Sequence, residues 1–128
     1  MHRRILIYGY MEAPVESAVC GLDARATQVE LDARFFRGLG DPTRVRILEH
    51  LLEGEKSVGE IVECLDAPQS SVSMHLGCLR WCGYVSARKE GRHVYYQVTD
   101  ARVREILRLA RAIIVDNAQA ILSCQVIR

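Results

Sequence analysis

Between Ser57 and Val98 the hydrophobic period of the chain changes once, and that change limits what it can fold into. Ser57 with Glu60 three residues on forms a capping box, and Val58, Ile61, Val62 and Leu65 follow at helical spacing. Asp66-Ala67-Pro68 is a short break. Gln69 to Cys82 resumes the helical period, with Val72, Leu76 and Leu79 on its core side, and stops at Gly83. Beyond Gly83 the pattern becomes strand-like. Tyr84-Val85-Ser86-Ala87-Arg88 and His93-Val94-Tyr95-Tyr96-Gln97-Val98 are separated by the charged tip Lys89-Glu90-Gly91-Arg92.

A short helix, a tight connection and a second helix with a polar outer face make a helix-turn-helix, and the basic hairpin after it is the wing. The flanks fit this frame. Leu31, Phe35, Phe36 and Leu39 recur at helical spacing from Glu30 and end at Gly40. Asp41-Pro42 starts the next helix as N-cap and first-turn proline, Val45, Ile47, Leu48, Leu51 and Leu52 give its buried side, and Gly54 ends it. Asp100 caps a long last helix whose Val103, Leu107, Ala110, Ile114 and Ile121 lie on a near-heptad stripe with Asn117. Ile106, Ile113 and Leu122 widen it beyond what a terminal helix needs for its own core, so a dimer interface is expected there. The fold class expected is mostly α with a small β-hairpin (α+β), a winged helix-turn-helix dimerising through terminal helices. Residues 1–29 read as an N-terminal arm or loosely held helix, 30–124 as the DNA-binding and dimerisation domain, and 125–128 as a tail.

The 128 residues suit one compact domain, and the net charge of +1 is uninformative until it is divided along the chain. Asp41 to Asp66 holds seven acids against three bases, whereas Gln69 to Thr99 holds four bases (Arg80, Arg88, Lys89, Arg92) and the single acid Glu90. A locally basic face on a near-neutral protein suits a polyanion. The apolar run Ile5-Leu6-Ile7 is too short for a signal peptide, and no stretch approaches a membrane span. Met11 is a second candidate start. The five cysteines form an odd set without secreted-domain spacing, so a cytoplasmic location with reduced thiols is expected.

DNA contact is expected from Gln69, Ser70, Ser71, Ser73 and His75, at the start and on the outer face of the second helix, where short polar side chains reach base edges. Arg88, Lys89, Arg92 and His93 on the wing should meet the DNA backbone or minor groove. Cys78 and Cys82, four residues apart, share one helix face, so two sulfurs can meet one soft ion. Cys64, set among Ile61, Val62 and Leu65, reads as a core residue, and His50 as structural. Trp81 is expected near the subunit boundary. No phosphate loop, nucleophile elbow or paired-carboxylate cleft is recognisable, so an enzyme is the remote alternative.

Asp41-Pro42-Thr43-Arg44 with Arg46-Ile47-Leu48, then Ser70, Ser73, His75, Leu76 and Leu79, then Gly83-Tyr84-Val85, then Gly91-Arg92 with Tyr95-Tyr96, stand in an order that resembles the ArsR/SmtB family of metal-responsive winged-helix repressors. The resemblance covers most of the chain, roughly Leu31 to Leu122. It implies a homodimer that binds double-stranded operator DNA when metal-free and releases it on binding metal. The family's Cys-x-Cys pair is missing, since Ser57 and Gly59 stand there, and the last helix has no histidine for a zinc site. His75 to Gly83 is similar instead to the CmtR-type members that sense cadmium or lead, and to mercury-responsive actinobacterial members. The effector implied is a soft divalent ion: cadmium, lead or mercury. Cys124 is the first choice for a third thiolate because the family pattern has a late cysteine, and Cys20 is the second. A thiol-based redox repressor of the same fold is the alternative, with Cys78, Cys82 or Cys124 forming disulfides and Arg80 lowering a thiol pKa.

Overall fold

A computed structural model describes residues 24–127, with side chains from residue 27, and two short strands upstream. Those strands, β1 (Arg4–Ile7) and β2 (Met11–Pro14), pair antiparallel with Arg4 opposite Pro14 and Ile7 opposite Met11. The remaining elements are α1 (Ala24–Arg37), α2 (Pro42–Glu53), β3 (Lys56–Ser57), α3 (Val58–Leu65), α4 (Gln69–Trp81), β4 (Ser86–Glu90), β5 (His93–Gln97) and α5 (Ala101–Ser123). The helix-turn-helix is α3 and α4, and the wing is β4 and β5 in a three-stranded antiparallel sheet of order β3-β5-β4. No described helix is long and apolar enough to cross a membrane.

The boundaries follow from local chemistry. The Asp41 carboxylate accepts from the N–H groups of Thr43 (2.8 Å) and Arg44 (3.3 Å) with Pro42 in the first turn, so α2 begins where its free donors are met. At α3 the capping box is complete: the Glu60 N–H donates to Ser57 Oγ (3.2 Å) and the Ser57 N–H to Glu60 Oε1 (3.3 Å). Asp66, at φ 50°, ends α3 in the left-handed region, which aspartate tolerates better than most residues. Helix α4 ends in a Schellman motif. Gly83 takes φ 86°, its N–H donates to the Arg80 carbonyl (3.1 Å), and the Tyr84 N–H donates to the Leu79 carbonyl (2.9 Å). That turn drives Tyr84 and Val85 into the core, so the strand begins only at Ser86, two residues later than the sequence pattern suggested. The wing closes with a two-residue loop. Glu90 pairs with His93, and Gly91 at φ 60° supplies the positive angle such loops require.

The core joins Ile47, Leu48 and Leu51 of α2, Ile61 of α3, Val72, Leu76 and Leu79 of α4, Tyr84, Val85 and Tyr96, and Val103 and Leu107 of α5. α1 begins six residues before Glu30 and packs more lightly than its apolar residues suggest. Phe35 and Leu39 are partly buried, while Leu31 and Phe36 are exposed. In α3 only Ile61 is fully buried, and Cys64, expected in the core, is exposed. An eight-residue helix turns one narrow stripe inward, and Cys64 falls outside it.

α5 is 23 residues long, about 35 Å at 1.5 Å per residue, and it buries only Val103 and Leu107. The Arg104 guanidinium donates to the Leu52 carbonyl (2.8 Å) and Arg111 pairs with Glu49. From Arg111 to Ser123 every residue is exposed, Ile113, Ile114, Val115, Ile121 and Leu122 among them. Asn117 donates to the Ile113 carbonyl of its own helix (2.9 Å).

Candidate nucleic-acid interface and thiol pair

The first turns of α4 present Gln69, Ser70 and Ser73 to solvent, with Ser71 half-buried beside them. Met74 is 57 % exposed on the same stretch. It is not among the residues expected at the DNA, yet an apolar side chain between polar ones suits a thymine methyl in a major groove. His75, expected on this outer face, is buried at 8 % exposure. It lies three residues after Val72 and four before Leu79, which is core spacing, and it meets a partner 31 residues upstream.

That partner is Arg44. Its Nε donates to the Gly38 carbonyl (2.8 Å), its Nη2 to the Arg37 carbonyl (2.9 Å), and its Nη1 lies 3.3 Å from His75 Nδ1. A guanidinium only donates, so Nδ1 is the acceptor and the imidazole proton sits on Nε2, 3.9 Å from Asp41 Oδ1. Asp41 feels opposing influences. Burial raises its pKa, but the Arg44 and Thr43 N–H groups, together with the nearby Arg44 charge, outweigh this and hold it below the usual value. Three pieces of chain meet here: the end of α1, the start of α2 with Asp41 and Arg44, and the middle of α4.

At the other end of α4, Cys78 and Cys82 are half-buried and hydrogen-bonded to one another. Burial, then the neighbouring Cys78, push the Cys82 thiol up to about 11, and the Arg44 charge works weakly against them. The pair abuts the end of α1 because Gly38 has no side chain: a Cβ there would sit 3.2 Å from Cys82 Sγ and 2.9 Å from Tyr84 Cε2. Tyr84 is fixed by its hydroxyl, which donates to the Phe35 carbonyl (2.9 Å), and by its ring, stacked 4.6 Å from Phe35. Burial raises its phenol pKa, and Cys82 and Cys78 add to the shift. On the outer side of Cys82 a cleft of about 450 Å³ runs between α1 and the end of α4, walled by Thr27, Leu31, Phe35 and Trp81 among others.

The four described cysteines do not all come together. Among the described residues no three histidine, cysteine, aspartate or glutamate side chains converge as an ion site, so Cys78 and Cys82 stand as a pair. Cys124 caps the end of α5, where the N–H groups of Ile127 and Val126 lower its pKa by hydrogen bonding to the thiolate. Cys20 lies outside the described residues.

On the wing, Lys89, Arg92 and His93 are exposed, but Arg88 is turned to a different task. Its Nε and Nη2 donate to the Glu55 carboxylate (2.6–3.0 Å), its Nη1 donates to Glu90 (2.5 Å), and its Cζ sits 4.6 Å above the Tyr95 ring. Those bonds lower the Glu55 pKa and raise that of Arg88. Arg88, expected at the DNA, therefore braces the wing against the segment that enters β3.

Comparison with known proteins agrees with this geometry. Residues 41–87 match the family described as "Bacterial regulatory protein, arsR family". A "Probable mercury resistance operon repressor" from Streptomyces lividans is 42 % identical over 115 residues, spanning 89 % of this chain and 92 % of that protein. The "HTH-type transcriptional regulator CmtR" of Mycobacterium tuberculosis is 47 % identical over 75 residues, 59 % of this chain and 64 % of that protein. Among solved structures, the homodimeric winged helix-turn-helix DNA-binding domain of a Mycobacterium bovis protein superposes with a TM-score of 0.66 at 27 % identity, over 79 % of this chain and 94 % of that one.

Proposed function

The chain belongs to the ArsR family of bacterial regulatory proteins, and from that footing we propose that this transcriptional repressor holds operator DNA as a homodimer and lets go when a soft ion reaches Cys78 and Cys82. The observation that carries the reading is the division of α4. Its first turns expose Gln69, Ser70 and Ser73, and its last turn carries two thiols in mutual contact. Gln69 suits bidentate pairing with adenine, and the serines suit bases or phosphates. Lys89, Arg92 and His93 add sequence-independent affinity from the wing.

The dimer reading rests on α5. Thirteen consecutive exposed residues, five of them large aliphatics, leave a helix arm that would be marginal alone in water. Pairing with a second copy would cover that face, as the homodimeric assembly of the M. bovis domain suggests. Two recognition helices about a two-fold axis call for a palindromic operator with half-sites ~34–36 Å apart.

The donor set fits a thiophilic ion and no hard one. Cys78 and Cys82 would hold a soft ion as a pair of thiolates, and an ion that takes more than two ligands would need a further donor. Cys124 and Cys20, from the same chain or from a second copy, are the two candidates for it. A bound ion would replace two S–H protons with two metal–sulfur bonds and so tie the last turn of α4 to whatever completes its shell. The chain's own part is to hold the Cys82 thiol protonated until then, since burial raises its pKa to about 11. The name of the Streptomyces relative favours mercury as the effector.

The test is DNA release by the full-length protein. Fluorescence anisotropy on DNA selected by the metal-free protein should fall on adding mercury(II), cadmium(II) or lead(II), and Cys78→Ser with Cys82→Ser should abolish the response while leaving metal-free binding intact. Release by peroxide with no response to any of the three ions would instead establish the redox reading.

A further inference from the structure

A stiff helix such as α4 moves as a body, so an event at its last turn can re-aim its first only if the seat of the helix changes. A polar fastening through Arg44 is among the described contacts of that seat. Arg44 reaches from α2 to hold the Arg37 and Gly38 carbonyls at the end of α1 (2.9 and 2.8 Å) and His75 in the middle of α4 (3.3 Å). Gly38 is also the residue against which Cys82 packs, and a Cβ there would crowd the sulfur at 3.2 Å. The path from thiol to reading face is therefore continuous: Cys82 against Gly38, the Gly38 carbonyl on Arg44, Arg44 on His75, and His75 one turn from Gln69 to Ser73.

We propose that Arg44 is the positioning residue of the switch, coupling occupancy of the Cys78–Cys82 pair to the placement of the DNA-reading turns of α4 through Gly38 and His75. This rests on the reading of α4 given above. A displacement of Cys82 Sγ towards α1 presses on Gly38, whose carbonyl is one of the two that Arg44 holds at α1. The fork geometry matters, because three separate acceptors on two helices are held by one rigid guanidinium. A lysine keeps the charge and cannot hold all three. The two carbonyls of α1 keep a cation nearby in either case, so the domain should still fold.

The experiment compares full-length wild type, Arg44→Lys and His75→Gln, measuring affinity for a duplex selected from random-sequence DNA by the metal-free wild type, with and without saturating mercury(II). Wild type should show a ratio in the usual allosteric range, ~5–150-fold. Both variants should bind the ion with unchanged stoichiometry yet bring the ratio down to about one- to threefold. A merely structural role would weaken DNA binding equally with and without the ion and leave the ratio unchanged. That result overturns the proposal. A wild type that ignores mercury(II) on DNA removes the function reading itself, which is a separate failure. Should both variants misfold, the wild type still decides. The Arg44 Nε–H and His75 imidazole NMR resonances should shift on adding mercury(II), and unmoved resonances refute the coupling.

Discussion

Gly38→Ala perturbs the meeting point of thiol and helix most directly. An added Cβ would lie 2.9 Å from Tyr84 Cε2, 3.0 Å from the Phe35 carbonyl oxygen and 3.2 Å from Cys82 Sγ. The Tyr84 ring cannot swing aside, since it is fully buried, stacked on Phe35 and tied by its hydroxyl to that same carbonyl. The carbonyl is backbone and equally fixed. The Cys82 sulfur can yield, but that relieves only the loosest of the three contacts, so the strain falls on the packing of α1 against Tyr84 as well as on the thiol pair. Overpacking of this kind costs about 1–3 kcal/mol. Replacing glycine by alanine recovers about 0.4–1 kcal/mol by restricting the unfolded chain. From the middle of those ranges the net loss is about 1.3 kcal/mol, or roughly 4–8 °C in Tm for a chain of this size. Gly40→Ala is the control: its Cβ would meet nothing closer than the Arg37 carbonyl oxygen at 3.3 Å, and neither Tyr84 nor Cys82. Calorimetry with thiolate-to-mercury absorption reads both consequences. Gly38→Ala should melt lower and bind the ion more weakly, and Gly40→Ala should do neither to the same degree. If Gly38→Ala melts and titrates as wild type does, the packing of Cys82 on α1 is refuted.

Arg92→Ala should weaken binding to every DNA sequence and reduce the slope of log affinity against log salt by about one. Glu55→Ala should also weaken binding, with the salt slope unchanged, because it releases the brace on Arg88 and removes no phosphate contact; tighter binding would mean that Arg88 belongs on the DNA. Asp41→Ala should cost about 1 kcal/mol as a lost N-cap. Its pH dependence has a definite sign: the folded Asp41 pKa is below 3.8, so its contribution is present above that value and lost as pH falls through the lower folded one. The difference in denaturant midpoint between Asp41→Ala and wild type should shrink in strong acid, and a constant difference would count against the hydrogen-bonded carboxylate.

Much of this architecture is legible in the sequence because the signals are local. The Ser57–Glu60 box, Asp41-Pro42, Gly83 and Gly91 each act within a few residues, and the structure uses each as expected. Assignments that depend on a distant partner were not legible. His75 looks like an outward polar residue until Arg44 comes to it from α2, although its spacing from Val72 was a clue. Arg88 looks like a free wing cation until Glu55 is folded against it. Cys64 went wrong for another reason: a stripe of aliphatics predicted a wider buried face than an eight-residue helix has. The thiol pair was visible as a spacing, whereas its contact with Gly38 and Tyr84 arises only when α1 packs on the end of α4.

The most direct test of the central claim, that one helix both reads DNA and senses a soft ion, is the mercury(II) affinity of the full-length protein with and without saturating operator DNA. Linkage requires DNA to weaken ion binding by the same factor by which the ion weakens DNA binding. The expected result is equal factors, well above one for wild type and absent when Cys82→Ser removes the thiol. An ion affinity indifferent to DNA in the wild-type protein would contradict the claim.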